Sequence, residues 1–141
     1  MSNYVVDASV VVKWLNQERE AATRQALTLL ERAMQGEDEL MSVDLLVYEV
    51  LNALIKGNRL RGRLLEEAVE VFFRLPLGLH NCDISLVSTA AIIAEQHQMT
   101  FYDAVYVALA YREQVPLLTA NPKDQGKVPG LMVIDIADWS S

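Results

Sequence analysis

Three carboxylates lie inside apolar runs: Asp7 in YVVDASVVVKW, Glu49 in VDLLVYEVLNAL and Asp103 in TFYDAVYVALA. A carboxylate withdrawn from water costs free energy unless positive charge or hydrogen-bond donors offset it. No Lys or Arg lies within four residues of any of them; Lys13 and Lys56 are just beyond that reach. Three such acids in one chain imply a shared compensating charge. The simplest is a divalent cation held by oxygen ligands.

Each acid also has a structural account. Asp7 ends an apolar run, where Asp is a common helix cap or turn residue. Ser9, two residues on, caps the next segment or holds Asp7 through its hydroxyl. Thr100 and Asp103 resemble a capping box with Asp in place of Glu or Gln, and a negative charge in a first helical turn suits the helix dipole. Glu49 is different, because it falls mid-helix and caps nothing. Leu45, Leu46, Val50 and Ala53 lie on nearby faces, Asn52 is close by, and no neighbouring charge defines a solvated stripe. Glu49 is therefore expected to be buried and either hydrogen-bonded or paired with a ligand.

Other polar residues carry less information. Asn121 and Asp124 in LLTANPKDQG are ordinary turn residues, and Thr119 either ends a strand or orients a carboxylate or a water. His80 and His97 have no partner at ligand spacing, so zinc is weakly supported. Tyr102 and Tyr106, at helical spacing, read as core or interface rather than as stacking platforms. There is no G-x-S-x-G, Walker-A or G-x-G-x-x-G pattern.

The elements that must position these residues follow from periodicity. YVVDASVVV reads as a buried strand. A helix is expected between residues 18 and 35, with Ala22, Ala26, Leu29, Leu30 and Ala33 on one face and Gly36 as its stop. ELMS reads as a short strand. Ser42 is expected to cap a helix running to about residue 56, closed by Gly57 and Asn58. LLEEAVEVFFRL is an amphipathic helix ended by Pro76, and LGLHNCD is a weak strand. Residues 84–98 and 102–113 read as helices, while PLLTAN and LMVIDI read as strands. This alternation predicts an α/β fold, with a mostly parallel sheet of about five strands between helical layers. In such sheets sites form beyond the carboxyl ends of strands. Asp7, Glu49, Asp103 and Asn121 are all placed to converge there.

Composition bounds the rest. The 141 residues suit a single domain, 1–141, and 52% are hydrophobic, enough for a full core. No apolar stretch reaches the ~20 residues of a membrane span, and MSNYVVDASV lacks the basic start of a signal peptide. One cysteine, Cys82, excludes an internal disulfide framework and fits a reducing cytoplasm. The net charge of −7 argues against a non-specific nucleic-acid coat protein. It does not argue against an enzyme whose metal supplies local positive charge. Lys56, Arg59, Arg61, Arg63 and Arg74 gather mid-chain, as a solvated helix–loop–helix surface or as a phosphate-contacting patch.

Taken in order, the motifs VVDASVVVKW, LLVYEVLNAL, TFYDAVYVALA and LLTAN resemble the PIN-domain family, and within it the VapC-like ribonuclease toxins. The resemblance spans almost the whole chain. It implies a three-layer fold and a Mg²⁺- or Mn²⁺-dependent endoribonuclease. Asp7, Glu49 and Asp103 match the three metal-holding acids, and Ser9, Asn52 and Thr119 match supporting polar residues. The fourth position is Asn121, where Asp is frequent in the family. Asn adds no charge, so Asp124 is a substitute candidate and one-metal and two-metal occupancy both stand. The implied chemistry is activation of water and neutralisation of phosphate charge. The resemblance also implies an RNA substrate, a cognate antitoxin, a homodimer and no membrane. The apolar faces of residues 27–30 and 45–55 are either partner surfaces or ordinary core. The rival to the enzyme is a non-catalytic binding module that keeps the fold with a weakened metal site.

Overall fold

A computed structural model describes every residue of the chain except Arg19. The described residues form five strands: β1 (Ser2–Val6), β2 (Asp38–Val43), β3 (Leu77–His80), β4 (Leu117–Thr119) and β5 (Val133–Asp135). All pair in parallel, in the order β3-β2-β1-β4-β5. Tyr4 faces Leu40 of β2, while Val5 and Val6 face Leu117 and Leu118 of β4. Val5, Val6, Leu117 and Leu118 are wholly buried, as central parallel strands covered on both faces require.

The helices are α1 (Ala8–Leu15), α2 (Thr23–Met34), α3 (Leu45–Asn52), α4 (Gly62–Phe72), α5 (Ile84–His97), α6 (Phe101–Glu113) and the single turn α7 (Pro122–Gln125). α3 runs on into a π-helical turn, Ala53–Gly57. α6 is the central helix. Every residue from Ala104 to Ala110 is buried, and α6 packs on α5, α7, β1, β2 and β4. A helix apolar on all sides belongs in the core, and its short Ala residues let its neighbours approach. None of the helices among the described residues is long and apolar enough to cross a membrane.

From β1 the chain steps to β2 and β3 on one flank, then returns past β1 to β4 on the other. β2 and β3 lie to one side of β1, and β4 and β5 to the other. Open α/β sheets have their crevice where strand order reverses, outside the carboxyl ends. Here that point lies between β1 and β4, directly above Val6 and Thr119.

The structure corrects several expected elements. The run after Asp7 is α1, not a continuation of the strand. β-Branched residues are modest helix formers, but Asp7 caps them, and Val10, Val11, Val12 and Trp14 are buried as a helix. Tertiary burial outweighs the strand propensity of the Val run. Ser42 is not a helix cap. It lies in β2 and its Oγ donates 2.6 Å to the Val6 carbonyl across the sheet, leaving Asp44 at the start of α3 without a side-chain cap bond. The helix expected from residue 18 begins at Thr23. The strand expected in LMVIDI is only Val133–Asp135.

Candidate metal site and the family it defines

Asp7 is the centre of a closed hydrogen-bond set. Its backbone is extended, with φ −100°, and its carboxylate accepts the Ser9 N–H at 3.0 Å as the N-cap of α1. Ser9 Oγ donates to the same oxygen, Oδ1, at 2.5 Å. Thr119 Oγ1, at the end of β4, donates to Oδ2 at 2.6 Å. The Ala120 N–H then donates to Ser9 Oγ, and the Asn121 N–H to Thr119 Oγ1. The β1–α1 corner and the β4–α7 corner are thus fastened to each other through one carboxylate. Both accounts of Asp7 meet here, since capping and site position are one geometry. Asp7 is 7% exposed, and burial pushes its pKa up while the Ser9 and Thr119 bonds pull it back.

Glu49 stands on α3, within range of the charges of Asp7 and Asp103. Its Oε1 accepts the Tyr106 phenol O–H at 2.6 Å. It is half-buried, which raises its pKa; the Tyr106 bond lowers it, and repulsion from Asp7 and Asp103 raises it again. Tyr106 is 1% exposed, and burial together with the Glu49 bond pushes its phenol far above the usual range, so it keeps its proton. Sequence reasoning read Tyr106 as core or interface and missed this contact. The available signal was its spacing: it lies three residues after Asp103, on the same face of α6.

Asp103 stands in the first turn of α6. Thr100 Oγ1 accepts the Asp103 N–H at 3.1 Å, as the capping reading requires. Its carboxyl pKa is raised by burial and by the charge of Asp124, against a bond from Thr100. Asp7, Asp103, Asn121, Asp124 and Gln125 line one cleft of about 610 Å³ at the carboxyl end of the sheet. Asp124 is partly neutralised by Lys127 at 3.1 Å. Asn121 is exposed, and its side chain makes no cap bond to α7. Asn52, exposed at the end of α3, makes no side-chain hydrogen bond among the described residues.

Repulsion links Glu49 to both Asp7 and Asp103, yet among the described residues none of the three forms an ion pair with Lys or Arg. No group of three His, Cys, Asp or Glu side chains among those residues stands at direct metal-holding spacing. Asp7 is instead turned onto the Ser9 and Thr119 hydroxyls and Glu49 onto the Tyr106 phenol. The donor set still fits a hard divalent cation: oxygen only, acidic, and raised in pKa chiefly by burial, a cost that a cation would offset. His80 and His97 are absent from the cleft, so a nitrogen-ligated metal has no support there.

The basic cluster divides. Arg63 and Arg74 pair with Glu67 and Glu70 one turn away on α4. Lys56, Arg59 and Arg61 border a separate depression after the π-helical turn, not the acidic cleft. The expected core reading of residues 27–30 and 45–55 holds for Leu29, Leu46, Val50 and Leu54, which are wholly buried.

Comparison with known proteins bears on the family and the fold. The PIN domain family model matches residues 4–131. The chain belongs to the PIN-domain family. This PIN domain is 36% identical over 137 residues to Ribonuclease VapC3 of Pyrobaculum aerophilum, a match that covers 91% of this chain and 96% of that protein. Its fold is similar to that of a toxin–antitoxin complex from Klebsiella pneumoniae, with a TM-score of 0.68, 17% identity, and coverage of 94% of this chain and 97% of that one. It is also similar to VapC20 of Mycobacterium tuberculosis, described as a sarcin-ricin loop cleaving toxin, with a TM-score of 0.64, 16% identity, and coverage of 83% and 87%. At these identities the two structures speak to the fold. The five-stranded α/β sheet is the PIN arrangement that the sequence implied.

Proposed function

We propose that this PIN domain is a divalent-metal-dependent endoribonuclease and the toxin of a toxin–antitoxin pair. The observation that carries the reading is the set of three unneutralised acids, Asp7, Glu49 and Asp103, at the reversal of strand order in a chain 36% identical to a ribonuclease. Asp7 and Asp103 would be the principal ligands of Mg²⁺ or Mn²⁺, with Glu49 as a third. When bound, the cation supplies Lewis-acid neutralisation of phosphate charge and makes water more acidic.

The chain's own residues do the remaining work. Ser9 and Thr119 hold both oxygens of Asp7, so the ligand is oriented before any cation arrives. Tyr106 occupies one oxygen of Glu49 and leaves Oε2 to take a proton from the attacking water. The Asn121 carbonyl is a neutral acceptor at the cleft rim. With Asp124 held by Lys127, the arrangement favours one strongly bound cation over two.

The experiment is RNA cleavage by purified protein with and without EDTA, alongside Asp7→Asn and Asp103→Asn. Both variants are expected to fold and to lose cleavage. Full cleavage by both, or cleavage indifferent to EDTA, would favour another catalyst. A wild-type protein that binds RNA without cutting it would favour the binding-module reading.

Partners follow from the same reading. A nuclease acting in the cytoplasm needs restraint by an antitoxin. A groove of about 300 Å³, lined by Trp14, Leu15, Leu60, Leu64 and Val71, offers apolar surface for one. Leu64 is 64% exposed there. A homodimer is the accompanying expectation, read by light scattering of the purified chain.

A further inference from the structure

We infer that Tyr106 is a positioning residue for the site, holding Glu49 inward so that α3 and α6 present their carboxylates together. The inference rests on the metal-site reading proposed above and adds a residue to it. Its basis is geometric. The phenol O–H lies 2.6 Å from Glu49 Oε1, within the range of short charge-assisted hydrogen bonds. Tyr106 is buried to 1% in the middle of α6, where the packing around that central helix fixes its ring. Glu49 has three rotatable side-chain bonds, is only half-buried, and is repelled by Asp7 and Asp103. Left to itself, such a side chain would swing toward solvent, away from the acids it must join. The phenol opposes that motion from the one helix that also carries Asp103, one turn earlier. Because it engages only Oε1, the other oxygen stays free.

A buried tyrosine needs some hydrogen-bond acceptor in any case, so the test must separate positioning from simple satisfaction of the hydroxyl. Mn²⁺ binding to the full chain is measured by calorimetry for wild type, Tyr106→Phe, Glu49→Ala and the double variant. Phe keeps the ring and its packing. Tyr106→Phe is expected to weaken Mn²⁺ binding by roughly tenfold or more, the usual effect of losing an outer partner of a metal ligand. In the Glu49→Ala background the same substitution should cost nothing further. Glu49→Asp, one methylene shorter, should lose the phenol contact and weaken binding in the same way with Tyr106 intact. In cleavage assays the loss should fall on kcat, with KM for RNA unchanged. Wild-type affinity in Tyr106→Phe, or an equal loss with and without Glu49, would overturn the role of Tyr106 alone. Failure of the wild-type chain to bind Mn²⁺ would overturn the metal-site reading itself, a separate and recognisable result.

Discussion

Thr119→Val tests the arrangement around Asp7 most directly. Thr119 is wholly buried, and its hydroxyl donates 2.6 Å to Asp7 Oδ2. Valine keeps the shape of the side chain and removes that donor. A hydrogen bond to a charged group contributes about 1.5–3 kcal/mol. The Asn121 N–H also loses its acceptor, but Asn121 is exposed and its N–H can turn to water at small cost. The expected loss is therefore about 2–3 kcal/mol in metal-free protein at neutral pH. For a chain of this size that is roughly 6–10 °C in melting temperature. The loss should depend on pH, and the sign is determined. The hydroxyl bond favours the ionised carboxylate, so its removal raises the folded pKa of Asp7 further. The deficit is full above that pKa and shrinks as pH falls through it, because a protonated Asp7 no longer needs the donor. Scanning calorimetry in EDTA at pH 8 and pH 4.5 reads both values. Equal deficits at the two pH values, or no deficit at pH 8, would refute the account of Asp7 as an ionised carboxylate held by hydroxyls.

Asp7, Glu49 and Asp103 all have raised pKa values, so in metal-free protein their joint contribution to stability declines as pH rises through those values. Millimolar Mn²⁺ should offset this, raising the melting temperature more at pH 8 than at pH 5, with an unchanged melting temperature at pH 8 as the contrary result. Asp38 behaves in the opposite sense: Arg32 at 2.7 Å holds its carboxyl below the usual range, so its contribution is present above the ordinary Asp pKa and is lost in acid. Asp38→Asn should therefore lower the melting temperature at pH 7, with the difference from wild type closing in strong acid. Arg59 follows the π-helical turn with φ +55°. Arg59→Gly relieves that left-handed backbone and, after glycine's entropy cost, should stabilise by about 0.5 kcal/mol, or 1–2 °C in a thermal melt.

Much of this fold was legible in the sequence, but unevenly. α5 and α6 have clear caps at Asp83 and Thr100, and their extents were read to within a residue or two. The Val run after Asp7 was not legible. Three consecutive Val residues favour a strand locally, and only their burial as a helix, with Asp7 at its N-terminus, reverses that preference. Ser42 misled for a related reason. Its type suggests a cap, while its hydroxyl serves the Val6 carbonyl in the neighbouring strand, a partner 36 residues away.

The amino-acid order by itself determined the layer architecture, the three acids and their family resemblance, because hydrophobic period and chemically costly residues are local properties. Only the tertiary structure decided how those acids are held. Thr119 reaches Asp7 across 112 residues and Tyr106 reaches Glu49 across 57. Such pairings are set by the reversal of strand order between β1 and β4 and by the packing of α6 beneath them. A hydrogen bond depends on where two donors and acceptors end up in space, and no spacing along the chain encodes that position.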